Sequence, residues 1–144
     1  YFARLHPDGS VDDAFDPNAN QHVRSLLVQA DGKVLVAGDF TALGGTTRNC
    51  IARVHPDGTL DTTFNPNATG GVNPMVVQPD GKLLVGGWFT SLSGQPYHGV
   101  ARLHADGSLD QSFNPNPNDH VYCVALQSDG KVVVAGRFTV IERE

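Results

Sequence analysis

One eleven-residue stretch occurs three times in this chain at a constant spacing. It reads DGKVLVAGDFT at residues 31–41, DGKLLVGGWFT at residues 80–90 and DGKVVVAGRFT at residues 129–139. Each copy begins 49 residues after the one before it. A fixed period of this length, on a segment rich in Val, Leu and Gly, indicates a repeated supersecondary unit rather than one irregular domain.

The rest of each repeat divides into short segments separated by turn residues. In one complete unit we assign strand a to Val23–Gln29, strand b to Lys33–Phe40, strand c to Asn49–His55 and strand d to Thr59–Phe64. None of these segments keeps the three-to-four-residue spacing of a helix, and strand b is apolar on both faces. A strand of that kind lies between stacked sheets. The pattern predicts an all-β protein made of four-stranded antiparallel blades, a β-propeller, with a flat solenoid of sheets as the alternative.

Two tight turns in each unit end in Asp-Gly. The stretches Ala30-Asp31-Gly32 and Pro56-Asp57-Gly58 fit a three-residue hairpin in which a type I turn precedes a Gly in the left-handed region. This register places Val54 opposite Leu60, and it places an Arg of strand c opposite an Asp of strand d in every unit. The predicted ion pairs are Arg4–Asp12, Arg53–Asp61 and Arg102–Asp110.

The combined motif of the repeat resembles a known family. The pattern A-R-[LV]-x-x-D-G-[ST]-[LV]-D-x-x-F-[ND]-P-N, followed by V-x5-Q-x-D-G-K-[VL]-[LV]-V-[AG]-G-x-F-T, is similar to the propeller repeat of large bacterial surface and secreted proteins, sometimes called the delta-sixty repeat. The resemblance covers essentially the whole chain, and it implies a β-propeller in a bacterial extracellular or cell-surface setting. It carries no established catalytic residues. The chain departs from the pattern at residues 139–144, which lack the Gly found at Gly45 and Gly94.

The strands run in the order c-d, a-b-c-d, a-b-c-d, a-b, which amounts to three blades. We assign a half-blade to residues 1–15, blades to residues 23–64 and 72–113, and a half-blade to residues 121–141. Propellers hold about four to eight blades, so we do not expect a closed three-bladed monomer. One hypothesis is a homodimer of six blades in which the half-blades pair between chains and remove exposed strand edges. The other is that the chain is a piece of a longer propeller, with the remaining blades as its partner.

Composition argues against several classes of partner. The formal charge is -5, and the three lysines all share one phase of the repeat, which does not provide the clustered basic face that nucleic acid requires. No apolar run is long enough to cross a membrane, so no membrane insertion is expected. The chain begins with Tyr1 and is expected to be processed or part of something longer. Cys50 and Cys123 lie at different phases without metal-ligand spacing, which predicts unpaired thiols acting as small hydrophobes on strands.

Recognition is predicted on one rim of the propeller. Because the strands alternate in direction, both Asp-Gly turns lie on one rim and both long loops lie on the other. The turns hardly vary between units, whereas long loops such as residues 42–48 and 91–97 differ, so the long-loop rim is the expected binding surface. The candidate ligand-binding residues there are Arg48, Asn49, Trp88, Tyr97, His98, Asp119 and His120. Trp88 takes the variable position of Gly-x-Phe-Thr and could equally be an ordinary exposed strand end.

No metal or other cofactor is expected. His6, His55 and His104 share one phase, but three ligands around a wide channel would lie too far apart for metal–nitrogen bonds of about 2.0–2.1 Å. The Asp-Pro-Asn loops lack the dense carboxylates of a calcium loop.

The sequence contains no identifiable catalytic residue, and three functions remain. The chain shows no Ser-His-Asp elbow, no CxxC and no glycine-rich phosphate loop. The favoured function is a non-catalytic module for protein interaction or structural scaffolding in a bacterial surface or secreted protein. The alternative is a carbohydrate-binding, lectin-like propeller, in which Trp88 or Tyr97 would be exposed beside polar groups. A propeller hydrolase is the third, and it would need two convergent carboxylates or a bound metal in a central pocket.

Overall fold

The computed structural model describes residues 2–142 and shows an all-β chain. The strands are β1 (Val23–Val28), β2 (Val34–Gly38), β3 (Ala42–Leu43), β4 (Thr46–Thr47), β5 (Ile51–Val54), β6 (Ala68–Thr69), β7 (Val72–Val77), β8 (Leu83–Gly87), β9 (Ser91–Leu92), β10 (Gln95–Pro96), β11 (Val100–Leu103), β12 (Val121–Leu126) and β13 (Val132–Gly136). Residues 2–142 contain no helix of the length and apolar character that a membrane crossing requires.

The longer strands form three antiparallel sheets that repeat one arrangement. In the first sheet β2 lies between β1 and β5, and in the second β8 lies between β7 and β11. The third sheet pairs β12 with β13. The first strands β1, β7 and β12 contact one another in order along the chain, so the sheets stand side by side as successive blades. The predicted all-β fold of antiparallel blades is confirmed, and we call the three sheets the first, second and third blade.

Strand d is not a regular strand, so the expected strand over Thr59–Phe64 was wrong. The predicted pairing of Val54 with Leu60 is present, but as a single isolated bridge. The reason lies in Asp61, whose Oδ1 accepts hydrogen bonds from the Thr63 backbone N–H at 3.1 Å and from its hydroxyl at 2.6 Å. A short polar side chain that bonds its own backbone in this way competes with a sheet ladder. The chain therefore turns immediately after the bridge.

The long loops contain two-residue strands that the sequence did not reveal. β3 pairs with β4, and β9 pairs with both β10 and β6. The β6–β9 pairing and the Ala19–Leu43 bridge tie the loop after strand b to the loop before strand a of the same blade. Leu43 and Leu92 are completely buried there. Segments of two residues are too short to display a hydrophobic period, which explains why they were not predicted.

The Asp-Gly turns have the predicted backbone. Gly32 has φ of 81° and Gly58 has φ of 88°, which places both in the left-handed region. The preceding Asp supports the turn, because Asp57 Oδ1 accepts hydrogen bonds from the Thr59 N–H at 2.9 Å and from its hydroxyl at 2.6 Å. The Pro-Asn loops use the same region for a residue with a side chain: the three Asn residues with positive φ there are Asn18, Asn67 and Asn116.

Apolar side chains from neighbouring blades interlock. Leu35 and Ala37 of β2 share one buried cluster with Met75 of β7 and with Leu83 and Val85 of β8. β2 and β8 are therefore buried on both faces, as predicted for strand b, whereas β13 of the third blade is partly exposed. A second cluster joins β8 to the third blade in the same manner. The core thus lies at the seams between blades.

A four-residue cluster recurs in successive repeats. Asp61 accepts hydrogen bonds from Arg53 Nε at 2.9 Å and from Lys33 Nζ at 3.0 Å. The Arg53 guanidinium lies 4.5 Å from the ring centre of Phe64. We call Lys33, Arg53, Asp61 and Phe64 the Lys-Arg-Asp-Phe cluster, and its counterpart in the next repeat consists of Lys82, Arg102, Asp110 and Phe113.

The same cluster also links one blade to the next. Arg53 Nη1 donates a hydrogen bond to the carbonyl oxygen of Ala105, 2.7 Å away in a turn of the second blade. Phe64 packs against Gly107 of that turn, where an added Cβ would lie 2.8 Å from its ring. The predicted Arg–Asp ion pairs are confirmed in all three repeats, at 2.8 to 2.9 Å. The contacts of Lys33 and Lys82 with these carboxylates were not predicted.

The carboxylates of these clusters are strongly acidic. Burial acts to raise the pKa of Asp61, but hydrogen bonds from Thr63, Lys33 and Arg53 outweigh it and hold that pKa well below its ordinary value. Hydrogen bonds from Ser112 and Lys82 depress the pKa of Asp110 in the same way. Both groups are therefore anionic throughout the physiological pH range.

Asp61→Ala is expected to lower the free energy of unfolding by about 3 kcal/mol. The substitution leaves the buried Arg53 without its counterion, and such a loss typically costs about 3–5 kcal/mol. Asp57→Ala, in the exposed turn of the same hairpin, is the control and should cost clearly less, because no buried cation depends on it. Urea unfolding measures both values. Equal costs would show that the cluster contributes no more than an ordinary turn.

Asp110→Asn is expected to make stability less dependent on pH. Because the pKa of Asp110 is lower in the folded chain than in the unfolded chain, its stabilisation is complete above about pH 3.9 and is lost as the pH falls further. The variant should be less stable than the wild type at pH 7, and the difference should shrink toward pH 3. Leu109→Ala, which removes no charge, should show a constant difference. Urea unfolding across this pH range tests the expectation, and a constant difference for Asp110→Asn would contradict it.

Candidate functional site

A small cleft opens on the long-loop rim between the second and third blades. Its volume is about 170 Å³. One wall is the end of strand b beyond β8, the second is the loop that leads into β11, and the third is the loop that leads into β12. The lining residues are Trp88, Phe89, Thr90, His98, Gly99, Pro117, Asn118, Asp119 and His120. We call this depression the Trp88 cleft.

Asn118 holds the third wall in place. Its Oδ1 accepts hydrogen bonds from the backbone N–H groups of Thr139 at 2.9 Å and Val140 at 3.1 Å. Two repeats earlier, Asn20 Oδ1 accepts the same hydrogen bonds from the backbone N–H groups of Thr41 and Ala42. The loop before strand a is thus anchored to the end of strand b by an amide side chain, and the neighbouring residues are presented toward the cleft.

The polar part of the cleft is a carboxylate flanked by nitrogen donors. Asp119 Oδ1 accepts a hydrogen bond from the His120 backbone N–H at 2.7 Å and lies 3.6 Å from His120 Nε2. Asp119 Oδ2 lies 3.5 Å from Nε of Arg137. Asp119 is about one-third exposed, so the carboxylate remains accessible to a ligand.

Trp88 is fixed between blades by contacts on several sides. The indole lies over Gly71, where an added Cβ would come within 2.2 Å of Cζ2. The Arg24 guanidinium covers one face at 4.8 Å from the ring centre. The His120 ring lies 6.1 Å away at an angle of 45°. A half-buried indole with one face already occupied offers its remaining surface to the cleft.

Arg24 is itself held by a carboxylate of the first blade. Its Nε lies 2.8 Å and its Nη2 lies 2.6 Å from Asp39 Oδ2. The hydrogen bond to Asp39 raises the pKa of Arg24, so the cation that covers Trp88 is permanent. Polar contacts therefore run along this rim from the first blade to the third.

Four of the seven predicted site residues come together. Trp88, His98, Asp119 and His120 line the Trp88 cleft. Arg24 and Arg137 belong to the same surface but were not singled out, although each stands at a repeat position where the other units carry unrelated residues. That variability was the available signal.

The other three predicted residues are placed elsewhere. Arg48 is buried and donates hydrogen bonds to the carbonyl oxygens of Thr47 and Thr62. Asn49 Nδ2 donates to Asn67 Oδ1 at 2.8 Å. Tyr97 is 6% exposed. These positions belong to the packing of the loops and do not line the cleft.

Two larger depressions are lined at least in part by residues of the Asp-Gly turns. One, of about 350 Å³, runs along the outer side of the first blade between residues 14–17 and 54–60. The other, of about 310 Å³, is mainly apolar and lies between the Asp-Gly turns of the first and second blades, at residues 27–31 and 77–81. Neither is lined by an aromatic ring, which distinguishes the Trp88 cleft from them.

The three histidines that share one phase of the repeat support the turns through their backbone. The carbonyl oxygens of His6, His55 and His104 each accept the hydrogen bond from the Gly N–H that closes the Asp-Gly turn. Among residues 2–142, no group of three or more His, Cys, Asp or Glu side chains is arranged to hold a metal ion.

The two thiols are unpaired but do not share one environment. Cys50 and Cys123 are free. Cys50 is buried just before β5 with φ of 63°, and burial raises the pKa of its thiol. Cys123 lies in β12 and is exposed. The prediction of small hydrophobes on strands was thus wrong in part, because one thiol precedes its strand and the other is not buried.

These features define a protein built of β-propeller blades with a small polar–aromatic cleft on one rim. The chain belongs to the family described as a domain of unknown function (DUF5122) beta-propeller, whose sequence model matches residues 29–64, 78–113 and 127–142, more than half of the chain. Each match starts at the Gln that precedes an Asp-Gly turn of strands a and b. No curated protein and no solved structure was found to match the chain.

Gly71→Ala is expected to displace Trp88 from its place between the blades. The new Cβ would overlap the indole, so the ring must move toward solvent and its fluorescence emission should shift to longer wavelength. Trp88 is the one tryptophan of the chain, so the signal is unambiguous. Gly94→Ala, at a loop position with no atom near the added Cβ, should leave the emission unchanged. An unshifted spectrum for Gly71→Ala would contradict the contact.

Proposed function

We propose that this chain is a non-catalytic interaction and scaffolding module of a bacterial surface or secreted protein, and that it binds its partner at the Trp88 cleft. The observation that carries the proposal is the contrast between the two rims. The Asp-Gly rim repeats the same residues, whereas the opposite rim gathers one unrepeated aromatic residue, a carboxylate and two imidazoles. Loops that vary on a constant scaffold are the usual location of recognition.

The size of the cleft favours a protein partner. Pockets for small-molecule ligands commonly measure about 300–1,000 Å³, whereas the Trp88 cleft measures about 170 Å³. That space suits one anchoring side chain of a larger surface. Trp, Tyr and Arg dominate such anchoring contacts, and Trp88 with Arg24 and Arg137 supplies two of these residue types around the cleft.

The state of the carboxylates supports a non-catalytic role. The carboxylates with strongly lowered pKa values, Asp61 and Asp110, are bound by Arg and Lys within the blades and serve the fold. On the rim, Asp39 is paired with Arg24, and Asp119 lies beside Arg137. Glycoside hydrolysis requires two carboxyl groups that flank one bond, whereas Asp119 is the one carboxylate among the residues that line the Trp88 cleft.

The bacterial surface setting rests on the repeat motif. The motif is similar to the delta-sixty repeat of large bacterial surface and secreted proteins, and the family match extends over three copies of it.

Carbohydrate binding is the second candidate, and one observation favours it. Trp88 stands beside Asn118, Asp119 and His120, which is the combination of an aromatic surface and polar groups that sugar recognition needs. Arg24 already covers one face of the indole, so one face at most is available for stacking. The same variants can therefore test both candidates.

A peptide-display library and a glycan array are the probes for this site. Peptides that bind the wild type should bind Trp88→Ala and His120→Ala at least about tenfold more weakly, the loss expected for one anchoring contact of about 1.4 kcal/mol. Asp31→Ala, on the Asp-Gly rim, is the control and should bind normally. Circular dichroism confirms that each variant is folded.

The outcome distinguishes the candidates. Peptide binding that depends on Trp88 supports the interaction module, and a glycan signal with the same dependence supports the carbohydrate-binding alternative. Binding that depends on Asp31 and not on Trp88 would place recognition on the Asp-Gly rim and contradict the proposal. An absence of binders in both screens would contradict it as well.

A further inference from the structure

We propose that the Trp88 cleft takes an arginine side chain of its partner, with the guanidinium against the Asp119 carboxylate and beside the Trp88 indole. The inference rests on the proposed function, because it names the chemistry of the group that the interaction site binds. It is carried by a comparison inside this chain, in which a carboxylate and an aromatic ring together hold a guanidinium at four other places.

The four guanidinium sites share one construction. In each of them an Asp Oδ2 lies 2.8 to 2.9 Å from the Nε of an Arg, and the guanidinium carbon lies 4.4 to 4.8 Å from the centre of an aromatic ring. The carboxylate accepts a charge-assisted hydrogen bond, and the face of the ring attracts the cation. The four sets are Arg4–Asp12–Phe15, Arg24–Asp39–Trp88, Arg53–Asp61–Phe64 and Arg102–Asp110–Phe113.

The Trp88 cleft contains the same two groups without a bound guanidinium. Asp119 and Trp88 both line it, and its walls lie between the second and third blades, away from either end of the described chain. The His120 side chain connects the two groups, since its ring lies 6.1 Å from the indole and its Nε2 lies 3.6 Å from Asp119 Oδ1. Asp119 is the one carboxylate among the lining residues, and Lys and Arg are absent from them.

Arg137 lies beside Asp119 but does not fill this position. Its Nε is 3.5 Å from Asp119 Oδ2, a longer separation than the 2.8 to 2.9 Å of the four complete sites. Among residues 2–142, Asp119 Oδ1 accepts one hydrogen bond, from the His120 backbone N–H, and Oδ2 accepts none. An ionised carboxylate can accept about four hydrogen bonds. Oδ2 is therefore open to a donor from outside the chain.

A glycine opens the space that a guest side chain needs. Gly99 has φ of 64°, and an added Cβ would lie 2.9 Å from Pro117 Cγ and 3.1 Å from the Asp119 carbonyl oxygen. One repeat earlier this position is Cys50, which is buried. That earlier repeat also has two glycines, residues 70 and 71, where the later one has Asp119 and His120. The open space and the carboxylate thus occur together between the second and third blades.

The chemistry of the cleft favours arginine over other guests. An apolar side chain would displace water from Asp119 and leave Oδ2 without a donor, which is costly. An anionic side chain would be repelled by the carboxylate. A guanidinium donates N–H groups to the carboxylate while its flat face packs on a ring, which a Lys ammonium does less well. Arg24, which covers one face of the indole, is paired with Asp39 at 2.6 Å and so opposes a second cation only weakly.

Peptides with one fixed central residue and randomised flanks are the probe. Two sets are compared that differ only at the centre, which is arginine in one and citrulline, its neutral isostere, in the other. We expect peptides of the arginine set to bind the wild-type chain. The citrulline form of each should bind about tenfold more weakly, because the hydrogen bond to Asp119 loses its charge.

Asp119→Asn tests the carboxylate. The variant should weaken the binding of arginine peptides about tenfold and remove their advantage over citrulline peptides. Asn retains an oxygen for the His120 backbone N–H, so the local hydrogen bond can persist. Asp80→Asn makes the same change of charge on the Asp-Gly rim, and this control should keep the full difference between the two sets. Circular dichroism confirms that both variants are folded.

Arg137→Gln gives a result that competition for Asp119 predicts. Because Arg137 stands beside the oxygen that the guest needs, its removal should strengthen the binding of arginine peptides about two- to fivefold, the range of an exposed ion pair. Citrulline peptides should bind as they do to the wild type. A loss of affinity for arginine peptides would mean that Arg137 itself holds the partner, and it would overturn the inference.

The remaining outcomes separate this inference from the proposed function. Arginine and citrulline peptides that bind equally well, with binding lost in Trp88→Ala, would overturn the inference and leave the interaction site intact. An arginine preference that survives Asp119→Asn would also overturn it, because the cation would be bound elsewhere. Peptide binding that does not depend on Trp88, or an absence of binding in both sets, would contradict the proposed interaction site itself. A glycan signal at the cleft without peptide binding would replace arginine by a sugar as the guest.

Discussion

The fold depends on one charged contact placed where it can serve two blades at once. Asp61 holds Arg53 and Lys33 side by side, and Arg53 then reaches the backbone of the next blade at Ala105. A charge with little exposure is costly unless all its partners are satisfied, so this carboxylate specifies which strands meet and in which order. The apolar seams supply most of the burial, but they consist of similar Val and Leu residues and would tolerate other alignments. The charged contact removes that freedom.

This contact shows both how far the sequence could be interpreted and where the interpretation stopped. The Asp-Gly turns fix a register, and the register puts Arg53 opposite Asp61 without further information. Lys33 was not assigned to the pair because it lies on strand b, and its distance to Asp61 depends on the order of strands in the sheet. Strand d was wrong for a related reason. Its alternation satisfied the pattern of a strand, but Asp61 bonds the backbone of Thr63 and turns the chain away.

The Trp88 cleft was predictable in position more than in detail. Its walls come from three stretches, residues 88–90, 98–99 and 117–120, and they meet because successive repeats stand side by side. Alternation of strand direction was enough to place Trp88, Asp119 and His120 on one rim. It was not enough to show that Arg48 points into the packing or that Arg24 covers the indole, because those facts depend on side-chain rotamers set by the neighbouring blade. The glycine at position 71 is the local cause, since any Cβ there would exclude the ring.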